Sequence, residues 1–149
     1  PVTLFVSTDV VNQSHWNYMS WADLRQFINE GGSVGLHSAS HGHLAHSDIS
    51  QVKKDLVSSI ALIKNKLNIS PKVFAYPYGE ASNEIIDLLK NLNIEFAFGQ
   101  HSGSIHKDTN QYYLPRFALN ENYGNTDRFI FSANIKPLIV KNFLPDQIF

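Results

Sequence analysis

Apolar strand-like runs alternate with helix-periodic segments along this chain, and that alternation limits its fold more than any other feature. Val2 to Ser7 is a β-branched apolar run between Pro1 and the turn-prone Asp9, which reads as a buried strand. Ser20-Trp21-Ala22-Asp23 has the form of a capping box, with Leu24, Phe27 and Ile28 on the apolar face and Gly31-Gly32 at its end. Ser33 to Leu36 is a second short strand. A longer helix is predicted from about Ser50 to Leu67, with Val52, Leu56, Ile60, Ile63 and Leu67 on one stripe and Lys53, Lys54 and Lys64 off it. After Pro71 come a strand, Val73 to Tyr76, and the turn "YPYGEAS". Ser82 caps a third helix, and Phe96 to Phe98 is a further strand. A polar loop spans Gly99 to Gln111. Tyr112 to Leu114 is a candidate short strand, and Asn125 to Ile135 a candidate last helix. This order calls for parallel strands with helices outside, in an open doubly wound sheet or a barrel. In both, function gathers at the carboxyl ends of the strands.

Three loops with chemistry-bearing side chains fall at those ends. "GGSVGLHSASHGHLAHSD", residues 31–48, holds four of the seven histidines. His37 and His41 can meet one metal ion if the backbone turns helically between them, and Ser38 and Ser40 are placed to orient the loop. His43 and His46 read as bystanders, because one ion cannot use all four rings. A His-rich surface loop without metal is the plainer reading of the same spacing. In "FAYPYGE", Pro77 restricts Tyr76 to extended backbone and Gly79 permits a tight turn. That turn can aim the Tyr78 backbone N–H into a cleft as an oxyanion donor, or serve simply as a strand-to-helix turn. The loop after the fourth strand carries His101 and His106.

Composition removes several function classes. The formal net charge is -1 with no basic stripe, so electrostatic capture of nucleic acid is not expected. The chain has no cysteine, which leaves imidazoles and carboxylates as metal ligands. No apolar run has membrane-spanning length. The 149 residues suit one domain, and a 43% hydrophobic content supports a core.

Taken in order, "YMSWADLRQFINEGGSVGLHSASHGHL", "FAYPYGE" and "YYLPRF" resemble the polysaccharide deacetylases of carbohydrate esterase family 4, with their NodB homology domain. The likeness runs from residue 1 to about residue 120. It implies an α/β fold, a NodB-like distorted barrel of seven β/α units. It also implies metal-dependent removal of acetyl groups from an N-acetylglucosamine-containing polysaccharide, with zinc as the expected divalent metal. His37 and His41 match the family's histidine ligands, and Tyr78 matches its oxyanion-binding amide. Tyr76, Pro77 and Tyr78 then border the substrate. The family polymers lie outside the cytoplasm, so an extracytoplasmic protein is implied.

The match has gaps. The family's Asp-Asp motif, which supplies the general base and a third metal ligand, would lie upstream of "PVTLFVS", and Asp9 does not replace it. The family's third-motif Arg falls on Ala75, with Arg116 a candidate to take over part of its work. The late Leu-x-His general acid has no clear match, and His101 is the nearer of two substitutes. The expectation is therefore a single deacetylase-like domain fragment over residues 1–149. It would lack the first barrel strand and helix, be inactive as cut, and have residues 135–149 as the start of a linker to a further segment. Its edge strand would be open to self-association. The alternative is a degenerate member that binds glycan without turnover. Trp16, Tyr18, Tyr76, Tyr78 and Tyr123 are available to either reading as aromatic platforms or as packing residues.

Overall fold

The structure, a computed structural model, describes residues 2–13, 16–117, 126, 127 and 130. One parallel sheet runs through it, made of β1 (Thr3–Val6), β2 (Ser33–Leu36), β3 (Val73–Ala75) and β4 (Phe96–Phe98) in that spatial order. Between them lie α1 (Thr8–Asn12), α2 (Trp21–Asn29), α3 (Ile49–Leu67) and, before β4, α4 (Asn83–Asn91). The spatial order decides between the two architectures left open by the sequence. A doubly wound sheet reverses its direction of strand addition at a switch point. Here each strand is added beside the last, without reversal. Right-handed crossovers then place every helix on the same face, as in a barrel wall. In keeping with this, α3 packs against both α2 and α4.

Local sequence accounts for most element boundaries. The Ser20 hydroxyl accepts from the Asp23 N–H, and the Asp23 carboxylate accepts from the Ser20 N–H at 2.7 Å, completing the capping box of α2. α3 begins one residue earlier than expected, because Asp48 caps it by accepting from the Ser50 N–H at 2.8 Å. It ends where Asn68 adopts a left-handed conformation, with Lys64 and Lys66 in the favourable last turn. Leu56 and Ile63 of α3, Phe74 of β3 and Leu89 of α4 are fully buried in the core.

Three expectations need amending. Residues 8–12 are not a simple turn: they form α1, whose Thr8 and Val11 are buried. β3 stops at Ala75, since Tyr76 is committed to the turn that Pro77 opens, although its N–H still reaches Phe98 O at 3.0 Å. The strand expected at Tyr112 to Leu114 reduces to one parallel bridge, Phe98 to Leu114. The helix expected over Asn125 to Ile135, Tyr123 and the tail at 135–149 lie outside the described residues, save positions 126, 127 and 130.

Candidate active site

At the carboxyl ends of β1 to β4 lies a cleft of about 330 Å³. β2 runs straight into His37, and the loop then bends back on itself. The turn between the two imidazoles is not helical, as the spacing argument had required. Ser38 and His41 instead adopt left-handed φ values of 63° and 56°. The result is the same convergence by another route: the His37 and His41 rings lie edge to face with centroids 4.8 Å apart.

Two left-handed residues in five are costly, so the loop needs external anchors. Asp55 of α3 is the main one. Its carboxylate accepts from the Ala39 N–H at 2.8 Å, the Ser40 N–H at 3.0 Å and the Ser40 hydroxyl at 2.7 Å. The Ser38 hydroxyl accepts from the His41 N–H at 2.8 Å. The buried Ser59 hydroxyl donates to Ser38 O, and the Thr8 N–H donates to the same carbonyl. Neither Asp55, Ser59 nor Thr8 was legible as a site residue, because each lies far from the histidines in sequence.

His37 is prepared for a lone-pair role. Its Nδ1 is 2.6 Å from the Ala75 carbonyl, which can only accept, so Nδ1 carries the proton and Nε2 is left with the lone pair. Burial holds the His37 pKa below its ordinary value. The Ala75 contact opposes that shift, and the nearby His41 and Arg116 reinforce it. A neutral, oriented imidazole is what a divalent metal requires. Ala75 thus contributes its backbone carbonyl to the site.

The turn after β3 supplies the facing wall. Tyr78 sits at φ 57° and ψ 4°, a left-handed conformation, inside a 3₁₀ turn at Pro77–Gly79. Among the described residues its N–H has no hydrogen-bond acceptor. Its ring meets His41 edge-on at 4.9 Å and stacks on His43 at 4.0 Å. Tyr76 lines the cleft, but its hydroxyl donates inward to Tyr112 O at 2.8 Å, and burial pushes its phenol pKa up. Pro77 is buried beneath the turn.

Arg116 also lines the cleft. Its Nε donates to Gly99 O at 2.7 Å, its guanidinium lies over the Phe5 ring, and burial lowers its pKa. Phe5 and Gln100 complete the lining, and neither stood out in the sequence. The structure does not bring His101 into that lining. Its ring stacks on Tyr113 at 4.6 Å, its Nδ1 is buried with no partner among the described residues, and burial lowers its pKa. Among the described residues no group of three or more His, Cys, Asp or Glu side chains is placed to hold a metal. The His37 and His41 rings, both lining the cleft, are the imidazole donors such an ion would meet here.

Residues 1–97 match the family model for polysaccharide deacetylases. The chain belongs to the polysaccharide deacetylase family. A curated relative, the poly-beta-1,6-N-acetyl-D-glucosamine N-deacetylase of Staphylococcus aureus, is 23% identical over 133 residues, covering 81% of this chain and 46% of the relative. The chain therefore spans about half the length of the curated relatives it matches. The deacetylase PplD of Streptococcus pyogenes, solved in complex with acetate, superposes with a TM-score of 0.82 at 16% identity, over 91% of this chain and 58% of that one. A carbohydrate esterase family 4 pseudoenzyme from Bacillus anthracis superposes with a TM-score of 0.57 at 17% identity, over 64% of this chain and 32% of that one. These neighbours establish the NodB-like α/β fold, of which this chain describes a part.

Proposed function

We propose that this polysaccharide deacetylase domain takes part in hydrolysing the acetamide of N-acetylglucosamine units in a polysaccharide outside the cytoplasm, using a divalent metal, zinc, held by His37 and His41. The observation that carries this reading is the convergence of the two rings, centroids 4.8 Å apart, with His37 locked in the Nδ1–H tautomer and Tyr78 lining the same cleft. A metal bound there would supply Lewis acidity, polarising the acetamide oxygen and lowering the pKa of a water.

The chain's own groups do the rest. The Tyr78 N–H donates to the oxygen as negative charge develops on it, an interaction strongest in the transition state. Arg116 keeps a positive charge at the rim and stabilises anionic groups in the cleft. Phe5 and Tyr76 exclude water from one side. Tyr76, Pro77 and Tyr78 together form the wall along which the sugar lies. The described residues offer no third ligand and no general base, and the resemblance assigns both to an Asp pair upstream of Pro1. His101, stacked behind the cleft on Tyr113, would need a ring rotation to donate a proton to the leaving amine.

The second reading is glycan binding without turnover. Ala75 in place of the family's arginine and the two-histidine donor set favour it. Acetate release from a poly-N-acetylglucosamine oligomer by the full-length protein, with and without zinc, separates the two. The enzyme reading expects zinc-dependent release that His37→Ala and His41→Ala each abolish. Full activity in His41→Ala would overturn the ligand assignment. Oligomer binding with no acetate released at any metal concentration would establish the second reading.

A further inference from the structure

His43 is two residues beyond His41 in a loop that follows β2, and Glu80 closes the turn that follows β3. Their side chains meet beside Tyr78: His43 Nδ1 lies 3.0 and 3.1 Å from the two Glu80 carboxylate oxygens. A carboxylate only accepts, so the proton is on Nδ1. The Glu80 side chain is 12% exposed, and the His43 side chain is 57% exposed. A nearly buried carboxylate is thus spent on holding an imidazole that is itself half in solvent. That imidazole lies flat on Tyr78, with 4.0 Å between centroids and 9° between planes.

Tyr78 is the residue that needs holding. Its neighbours are pinned from the interior: the Tyr76 N–H donates to Phe98 O, and the Tyr113 hydroxyl donates to Gly79 O at 3.0 Å. Tyr78 has no hydrogen bond of its own among the described residues, is about half exposed, and occupies a left-handed conformation that non-glycine residues avoid. A flip of the Pro77–Tyr78 peptide would relieve that conformation and reverse the direction of the Tyr78 N–H. Against the flip stand the ring contacts, His41 at the edge and His43 across the face.

We propose that His43 and Glu80 form a positioning clamp that holds the Tyr78 peptide with its N–H toward the cleft. The proposal rests on the oxyanion role given to Tyr78 above. His43 and Glu80 touch no reacting atom. They act through Tyr78, His43 by stacking and Glu80 by fixing the ring that stacks.

The test uses the full-length zinc-loaded protein and four variants: His43→Ala, His43→Phe, Glu80→Ala and, as a control in the same loop, His46→Ala. Two readouts are taken, the backbone amide resonances of Tyr78 and Gly79 with their relaxation dispersion, and kcat and KM for acetate release from an N-acetylglucosamine oligomer. In His43→Ala and Glu80→Ala the Tyr78 amide is expected to shift and show exchange, with kcat down about tenfold and KM within about twofold. His43→Phe keeps a flat ring but loses the bond to Glu80, so it is expected to show the same amide exchange and kcat loss as Glu80→Ala. His46→Ala should match wild type in both readouts. A Tyr78 amide unchanged in position and dynamics in Glu80→Ala or His43→Ala overturns the clamp. So does a kcat loss in His43→Ala that His46→Ala reproduces. If His43→Ala does not fold, Glu80→Ala and His43→Phe decide by the same amide. A wild-type protein that releases no acetate would overturn the enzyme reading, and the amide spectra would still decide the clamp.

Discussion

The proton on His37 links the site to stability. Burial makes the folded protein bind that proton less tightly than the unfolded chain, whose imidazole titrates near the ordinary value of 6.5. Below that pH the unfolded state binds more protons than the folded one, so stability falls as pH drops. Burial shifts His101 the same way. The urea midpoint of the chelator-treated protein is therefore expected to be lower at pH 5.5 than at pH 7.5. His37→Asn should flatten part of that slope and leave the share due to His101; an unaltered slope would show that His37 is not buried as described. Asp55 offers a second check. Its three acceptor bonds hold a loop with two left-handed residues, so Asp55→Ala should cost about 2 kcal/mol in chemical denaturation. It should also weaken zinc binding without touching a ligand. The two histidines were legible because their residue type and spacing announce their chemistry. Asp55 was not: a carboxylate on the polar side of an amphipathic helix looks like any solvated charge until the loop is folded onto it.

At the scale of elements, the turn after β3 carries the most information per residue. Gly79 has φ 75°, and a Cβ there would lie 2.6 Å from Gln100 Cβ and 2.9 Å from the Gln100 backbone nitrogen. Gly79→Ala is expected to cost about 1–3 kcal/mol in thermal or urea unfolding, and to lower catalysis further by moving Tyr78. In α3, Leu56 is fully buried one residue after Asp55. Leu56→Ala should cost about 2–5 kcal/mol through the cavity it leaves. If the loop reports on α3 as the contacts indicate, metal affinity will fall with it. Helices were readable at this scale because their caps and apolar stripes are local patterns. α1 was missed because five residues are too few to show a stripe, and its Thr8 and Val11 are buried by contacts distant in sequence.

For the whole molecule, the decisive property is the unbroken strand order β1-β2-β3-β4. Among the described residues β1 pairs with β2 alone, leaving the other side of Thr3–Val6 without a strand neighbour. Beside it lies a largely apolar hollow of about 540 Å³, lined by Leu4, Val6, Val10, Val11, Tyr18 and Met19 among others. An unpaired strand edge next to apolar surface is a template for pairing. We expect the 149-residue chain to self-associate through β1. Sedimentation velocity should show mass rising with concentration, and Thr3→Pro or Phe5→Lys should suppress it. A chain that stays monomeric across the accessible concentration range, with Thr3–Val6 amides strongly protected from exchange, would refute that expectation.

The sequence by itself determined the alternating elements, their caps, the parallel α/β class and the residue types of the cleft: His37, His41 and the Tyr76–Gly79 turn. All of these are written in short-range patterns, where one residue constrains neighbours within a few positions. Tertiary structure alone decided that the sheet adds strands in one direction, that a non-helical loop brings the two imidazoles together, that Ala75 O selects the His37 tautomer, and that Gln100 rather than His101 faces the cleft. It also turned His43 from a bystander into the ring that lies on Tyr78. Each of those outcomes depends on contacts between segments tens of residues apart. Such contacts exist only once the core has closed, and they leave no periodicity in the chain.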